Sequence, residues 1–424
     1  MNPDRKHLPD GADVAHLNSR QRAWLEIERR KLRPGMPDYQ EFRRELMPIE
    51  VTLGMGFDDQ DNPITHKWKP GHEANGFLMV TGGSGSGKTE ALKLIGAGIA
   101  EHGIPLITID FHGDVIFPGQ TTVRLRAVPG GSDFGINPLM IEPAYIRQMG
   151  MGAKIQREVS RLSRAVGGMS EQQQSCLYHV MEQTYRQFGI REEDDNTWGR
   201  KPPTLLDIGR ALSEGYRSGI EAFDKRTISS CWAKLRRICG NPVFTRGEPL
   251  HIHDLLGWNA RLDCSRLDLP SQLLVAETVL EMLFEACRGE GEIPVQPETD
   301  ADRYRAFVMI DEARVLTLGR GNPDASEHIL NVMACQCRKF GIGLILASQM
   351  CPHFSREVHA SFTTRLAMKR MDPNEAKKVA MHMGLAPRDL ISSESPPGLG
   401  YFSGASTGGT VLLRMNQLPY RTRH

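Results

Sequence analysis

The sequence predicts an α/β protein built on a mostly parallel sheet, with a helical insertion and a C-terminal β-hairpin. Three observations carry this. Strand-sized apolar runs, GFLMV at 76–80, PLITI at 105–109, AFVMI at 306–310 and IGLILA at 342–347, alternate with segments of helical periodicity. That succession places helices on both faces of a parallel sheet. The first run leads straight into the glycine-rich TGGSGSGKTE, Thr81 to Glu90, and then into a helical pattern. From about residue 140 to 262 the strand-like runs stop and amphipathic helical patterns take over.

Taken in order, residues 1–50 read as a helical arm, with SRQRAWLEIERRKL as one helix and PDYQEFRREL as a second after Pro37. Residues 51–140 form the first part of the core. IEVTLGMGFD and PITHKWKP read as short strands leading to the strand Gly76 to Val80. A helix from Thr89 to Glu101 stops near Gly103, and a second core strand runs from Pro105 to Ile109. Residues 141–262 form the insertion: KIQREVSRLSRAV, EQQQSCLYHVMEQTYRQF, TLLDIGRALSEG and ISSCWAKLRRI are helices, with the polar loop REEDDNTWGRKPP between two of them. Residues 263–424 complete the core. SQLLVAETVLEMLFEAC is a long helix, AFVMI a strand, ILNVMACQCRKF a helix and IGLILA a strand; LGYFSG and TVLLRMN make the closing hairpin.

With 52 basic and 51 acidic residues in 424, the chain is no polycation, so any DNA contact must come from a local patch or a channel. Lys154, Arg157, Arg161 and Arg164 are candidates for such a patch, although their spacing is also that of a solvated helix face. Eight cysteines show no repeated metal spacing; Cys335 and Cys337 form only a C-x-C pair, which favours unpaired thiols in a reducing cytosol over a zinc site. No apolar stretch approaches the ~20 residues that cross a bilayer. The expectation is a soluble cytoplasmic protein without direct membrane insertion, leaving a membrane-anchored partner open.

The chemistry begins at Gly82 to Thr89, which fits G-x-x-x-x-G-K-[ST] between a strand and a helix. There the backbone N–H groups of Gly82, Gly83, Ser84, Gly85, Ser86 and Gly87 cradle phosphate oxygens. Lys88 reaches the terminal phosphates and the Thr89 hydroxyl coordinates magnesium; Glu90 closes the motif. The bound ligand expected is ATP with Mg2+. AFVMIDE supplies the acidic partner: Asp311 to orient magnesium through water, Glu312 to polarise the attacking water.

Gln349 follows the strand IGLILA and is placed to sense the terminal phosphate or position water. In TTRLAMKR, Arg365, Lys369 and Arg370 are candidates for a cationic finger that completes a neighbouring subunit's site; if they alternate along a strand, Arg365 and Lys369 share a face. PLITIDFHGD puts Asp110 at the carboxyl end of a core strand, where open α/β sheets place their ligands. A lone histidine is more often structural than catalytic, so His112 and Asp114 are read as ordering the loop or linking nucleotide state to neighbouring groups. Asp110, His112 and Asp114 alone are too few for a metal site.

As an ordered set these motifs resemble the HerA-type branch of the FtsK/HerA motor ATPases. GGSGSGKTE is similar to the family's phosphate loop, and DFHGD to its strand-two motif DPHGE, with Phe111 for proline and Asp114 for glutamate. GINPL at 135–139, FVMIDEA, LILASQ and GLGYFSG before TVLLRM resemble its remaining signatures. Within the branch the chain is most similar to the DptH-type ATPase of phosphorothioation-dependent restriction and to antiphage HerA proteins. The resemblance implies a RecA-like P-loop NTPase domain that assembles as a hexameric ring, hydrolyses ATP between subunits, and moves double-stranded DNA through a central channel with a nuclease or other defence effector as partner. It assigns Lys88 and Thr89 to phosphate and magnesium, Asp311 and Glu312 to hydrolysis, and Gln349 to sensing. One departure stands out: archaeal HerA begins with a small β-barrel, whereas much of the segment before the phosphate loop here reads as helical.

Other readings are a conjugation or type IV secretion ATPase, and an ATP-dependent ring scaffold that activates an effector with little translocation. A metabolic kinase is disfavoured, because no small-substrate pocket is legible.

Overall fold

The computed structural model describes residues 48–418 apart from 59, 246–248, 318–327, 350–353 and 392–393. The two helices expected before residue 46 lie outside the described residues.

Among the described residues, eleven strands form one sheet in the order β2-β1-β11-β10-β9-β3-β8-β7-β4-β6-β5. They are β1 (Val51–Phe57), β2 (Pro63–Trp68), β3 (Phe77–Thr81), β4 (Leu106–Asp110), β5 (Thr121–Arg124), β6 (Ala260–Asp263), β7 (Ala306–Ile310), β8 (Ile342–Ser348), β9 (Thr364–Met368), β10 (Leu399–Gly404) and β11 (Gly409–Met415). From β9 to β5 every neighbouring pair is parallel. The β2, β1, β11 and β10 end is antiparallel, and β10 pairs β9 antiparallel. The central strands β3, β4, β7 and β8 read as largely apolar runs because both their faces are covered. Phe77 and Met79 enter one core while Leu78 and Val80, one residue out of phase, enter the other.

The sheet is covered by helices, of which those with eight or more residues are numbered here. α1 (Lys88–Glu101) lies on the face with Leu78 and Val80. The opposite face carries α6 (Leu269–Gly289) and, over it, the inserted helices α2 (Met151–Ala165), α3 (Glu171–Gln187), α4 (Leu205–Ser218) and α5 (Lys225–Cys239). α7 (Ile329–Gln336) and α8 (Pro373–Met383) complete the set. Several boundaries follow local chemistry: Ser170 and Gln173 form a capping box at α3, and Asp224 and Asp268 accept backbone N–H bonds at the starts of α5 and α6. Among the described residues, no helix is long and apolar enough to cross a membrane.

The basic stripe of α2 does not face solvent, and this corrects both its reading as a candidate DNA patch and its reading as a solvated helix face. Lys154 and Arg161 are each 1% exposed. Lys154 pairs with Glu158 and Glu285, Arg157 and Arg161 with Glu281, and Arg164 makes two hydrogen bonds to Glu277. Burial by itself pulls the Lys154 pKa down, but Glu285 and Glu158 outweigh it and hold the ammonium above its ordinary range. The physical reason lies on α6: Glu277, Glu281 and Glu285 recur every four residues along a helix that is otherwise apolar, so its acidic stripe meets the basic stripe of α2.

Two strands, β5 and β6, escaped the sequence reading. They are only four residues each, too short to show a period.

Candidate nucleotide site at the carboxyl edge of the sheet

Parallel pairing in register carries the predicted site residues to one edge. Thr81 pairs with Ser348 and with Ala367, Ile310 with Leu346, and Ile109 with Ile310. The segments that leave these strands, the glycine loop, Asp110 to Asp114, Asp311-Glu312, Gln349 and Lys369-Arg370, are therefore neighbours, in the crevice where such sheets take ligands.

The loop from Gly82 to Gly87 is shaped by close approaches that only glycine permits. A Cβ on Gly83 would overlap the backbone carbonyl of Arg370, and Gly87 has φ +104 at the start of α1. Gly398 N–H donates to the Ser86 carbonyl at 2.9 Å, tying the loop to the residue before β10. Lys88 bends back over the loop: its Nζ donates to the carbonyls of Gly82 (2.9 Å) and Gly83 (3.0 Å). Burial lowers the Lys88 pKa, against the pull of Glu312 and Asp311. Ser84 and Gly85 are exposed, Ser86 is buried, and Thr89 stands in the first turn of α1. Glu90 is exposed and bonded to Lys93 on its own helix, at 2.8 Å.

Across the crevice, Asp311 is buried and accepts a hydrogen bond from His112 Nδ1 at 2.9 Å. That bond raises the His112 pKa to about 9, although partial burial works against it. Asp110 is fully buried and spent on structure. It accepts from the N–H groups of His112, Gly113 and Val115 and from Arg261 Nε at 2.7 Å. These bonds fold residues 111–115 into the turn that carries His112 and Asp114 to Asp311. Arg261, on the short strand β6, gave no sequence signal. Burial, followed by the nearby Asp311 and Asp110, raises the Asp114 pKa, and its Oδ1 is buried without a hydrogen-bond partner among the described residues. Carboxylate oxygens of Asp110, Asp114 and Asp311 lie within 4.8 Å of one another.

Glu312 has φ +54, in the left-handed region, and its Oε1 is buried with no hydrogen-bond partner among the described residues. Such a backbone costs on the order of 1–3 kcal/mol in a non-glycine residue and is held only by its surroundings. Here the Glu312 carbonyl starts the turn Ala313–Thr317 by accepting from Val315 N–H at 3.0 Å. The donor set fits a divalent cation on this edge: Asp311 has a second carboxylate oxygen, the Asp114 Oδ1 is orphaned, and the Thr89 hydroxyl stands at the start of α1.

The remaining candidates divide. Gln349 is exposed one residue past β8, at the loop edge. Arg365 is 5% exposed inside β9, where it pairs with Met79 and donates to the His359 carbonyl at 2.7 Å. A finger that must reach another subunit needs a free guanidinium, and this one is inside the domain. The expected alternation of all three cations along one strand does not occur, because β9 ends at Met368. Lys369 and Arg370 lie past its end. Lys369 Nζ sits 5.5 Å from the centre of the Tyr401 ring, and Arg370, at φ +69, donates from Nε to the Ser395 carbonyl at 2.8 Å.

No protein-family model matches the chain. It is 29% identical over 111 residues to the DNA double-strand break repair helicase HerA of Sulfurisphaera tokodaii, covering 26% of this chain and 21% of the relative. It is 20% identical over 344 residues to the protein of the same name from Sulfolobus acidocaldarius, covering 79% of this chain and 62% of the relative. The chain thus spans less than two thirds of the length of these relatives.

Among solved structures it superposes on VirB4 of Thermoanaerobacter pseudethanolicus with a TM-score of 0.65 at 16% identity, covering 87% of this chain and 97% of the other. It also superposes on the plasmid coupling protein TrwB in complex with ADP and Mg2+, with a TM-score of 0.60 at 14% identity, covering 84% and 88%. At these identities the likeness is one of fold: a RecA-like P-loop NTPase fold with a mostly parallel sheet, helical insertions and a C-terminal β-hairpin, consistent with ATP hydrolysis.

Proposed function

We propose that the chain is an ATP-hydrolysing motor subunit, dependent on Mg2+, that works in a hexameric ring and moves double-stranded DNA. One observation carries the hydrolytic part: the glycine loop with Lys88, the acidic pair Asp311-Glu312 and Gln349 meet at one sheet edge, with the Glu312 Oε1 buried and without a hydrogen-bond partner among the described residues; the DNA cargo rests on the likeness to HerA. Hydrolysis needs a carboxylate that can take a proton from water, and Glu312 is placed to do so.

In this reading Lys88 leaves the Gly82 and Gly83 carbonyls for the terminal phosphates, and the loop N–H groups hold the phosphate chain. Thr89 and Asp311, with Asp114 beside them, would hold the cation, which when bound neutralises charge on the phosphates. His112 fixes the Asp311 carboxylate from the opposite side. Glu312 accepts a proton from the attacking water, and Gln349 orients that water or senses the terminal phosphate. Lys369 and Arg370, which leave the sheet beside the glycine loop of their own chain, are the candidates left for the cation that stabilises the transferred charge.

Two settings suit such a motor. The near-complete superposition on VirB4 and TrwB favours conjugation or secretion, while the sequence likeness to HerA favours DNA processing or defence with a nuclease or other effector. The first is better supported, because the likeness extends over nearly the whole of those chains. The test is ATP turnover with and without long duplex DNA, with Lys88→Ala as the blank. Stimulation that vanishes in the variant supports a DNA motor. Turnover indifferent to DNA overturns the DNA cargo in favour of a protein-secretion ATPase or effector-activating scaffold.

A further inference from the structure

The four cations of α2 are consumed by α6, so any DNA contact made by the insertion must lie elsewhere. The sequence of α5, KRTISSCWAKLRRIC, carries five basic residues and no acidic one. Its inner face, Ile228, Cys231, Leu235, Ile238 and Cys239, is buried, and all five cations are exposed.

We propose that this outer face of α5, formed by Lys225, Arg226, Lys234, Arg236 and Arg237, binds the phosphate backbone of duplex DNA. The proposal rests on the reading of DNA as the cargo.

Three features separate it from an ordinary solvated helix. Surface helices normally interleave both signs, as the adjacent α4 does with its Asp207–Arg210 pair. On α5 the local acids do little to cancel the charge. Asp224 caps the helix by accepting from Thr227 N–H, and Asp268 takes Arg237, whose side chain remains 78% exposed. Lys234 reaches the Gly168 carbonyl at 2.6 Å, and Lys225, Arg226 and Arg236 have no ion-pair partner among the described residues.

Second, Arg226, Ser230, Ala233 and Arg237 fall on one stripe, so the residues between the basic ends are small and leave room for a bulky backbone to approach. Third, Arg226 and Arg237 are eleven residues apart, about 16 Å along the axis at ~1.5 Å per residue, enough to span the ~12 Å width of a major groove between its phosphate rows.

The test is binding of labelled duplex DNA to the full chain across a salt series, comparing Arg226→Glu/Arg236→Glu with Arg226→Gln/Arg236→Gln and with a control, Lys377→Glu/Lys378→Glu, whose lysines are exposed on α8. We expect the glutamate pair to weaken binding by about tenfold or more. The glutamine pair should flatten the slope of log affinity against log salt by about 2, one unit for each phosphate no longer neutralised. The control should bind as wild type does, and DNA-free ATP turnover and melting temperature should be unchanged in all. If the α5 variants bind DNA as wild type does, or the control loses as much, the inference fails while DNA as cargo stands. If wild type itself binds no duplex at low salt, both fall together.

Discussion

The His112 imidazole donates from Nδ1 to Asp311 Oδ2 at 2.9 Å, joining two loops that are 199 residues apart in the chain. In sequence, His112 reads as a loop-ordering residue and Asp311 as a cation-orienting one. Their contact makes the first a positioning residue for the second.

In the nucleotide-free protein the His112 ring should titrate near 9 rather than 6.5, because the hydrogen bond to Asp311 holds it protonated. A histidine with a raised folded-state pKa adds stability that is fully present below about 6.5 and is lost as pH rises through about 9. NMR titration of the ring should show this shift, and Asp311→Asn should bring the value down towards the ordinary range. A ring titrating near 6.5 in wild type would contradict the contact.

Glu312→Gln should bind ATP but turn it over very slowly, because the group that accepts the proton from water is gone. Lys88→Ala should lose nucleotide binding altogether. Glu312→Gly should be as inactive as the glutamine variant, yet its melting temperature should equal or exceed that of wild type. Glycine relieves a left-handed backbone that costs on the order of 1–3 kcal/mol, against about 1 kcal/mol of added chain entropy. A Glu312→Gly protein that melts well below wild type would deny the strain.

Gly83→Ala should abolish tight nucleotide binding with little effect on overall fold. Its Cβ would run into the Arg370 carbonyl, and the loop would have to shift to make room. Equilibrium binding of a fluorescent ATP analogue measures this. Affinity equal to wild type would show that the loop gives way freely.

Arg161→Met should destabilise the protein by about 3–5 kcal/mol, since it leaves the Glu281 carboxylate buried and short of its partner. Chemical denaturation reads the change. The substitution should leave the salt dependence of DNA binding alone; a flattened slope would make α2 a DNA-binding element after all.

Much of the site was legible because its residues sit where motif and element boundary coincide. The glycines and Lys88 follow a strand and open a helix, and Asp311-Glu312 ends an apolar run, so local pattern alone locates them. The same logic puts Gln349 just past the end of β8. Arg365 was named as a candidate finger from its residue type alone, but β9 lies between β3 and β10 and buries it. Arg261 was missed because β6 has only four residues and resembles a loop.

The helices that make up the insertion, the apolar strands of a parallel sheet and the phosphate-binding loop were determined by sequence alone, because periodicity, glycine conformation and capping act over a few neighbouring residues. Which charges meet was decided only by tertiary structure. Lys154, Arg157, Arg161 and Arg164 on α2 and the exposed cations on α5 look alike as stretches of sequence, yet the first set is neutralised by Glu277, Glu281 and Glu285 and the second faces water. Burial and the nearest opposite charge depend on which faces pack, and helices more than 100 residues apart in the chain settle that only when they come together.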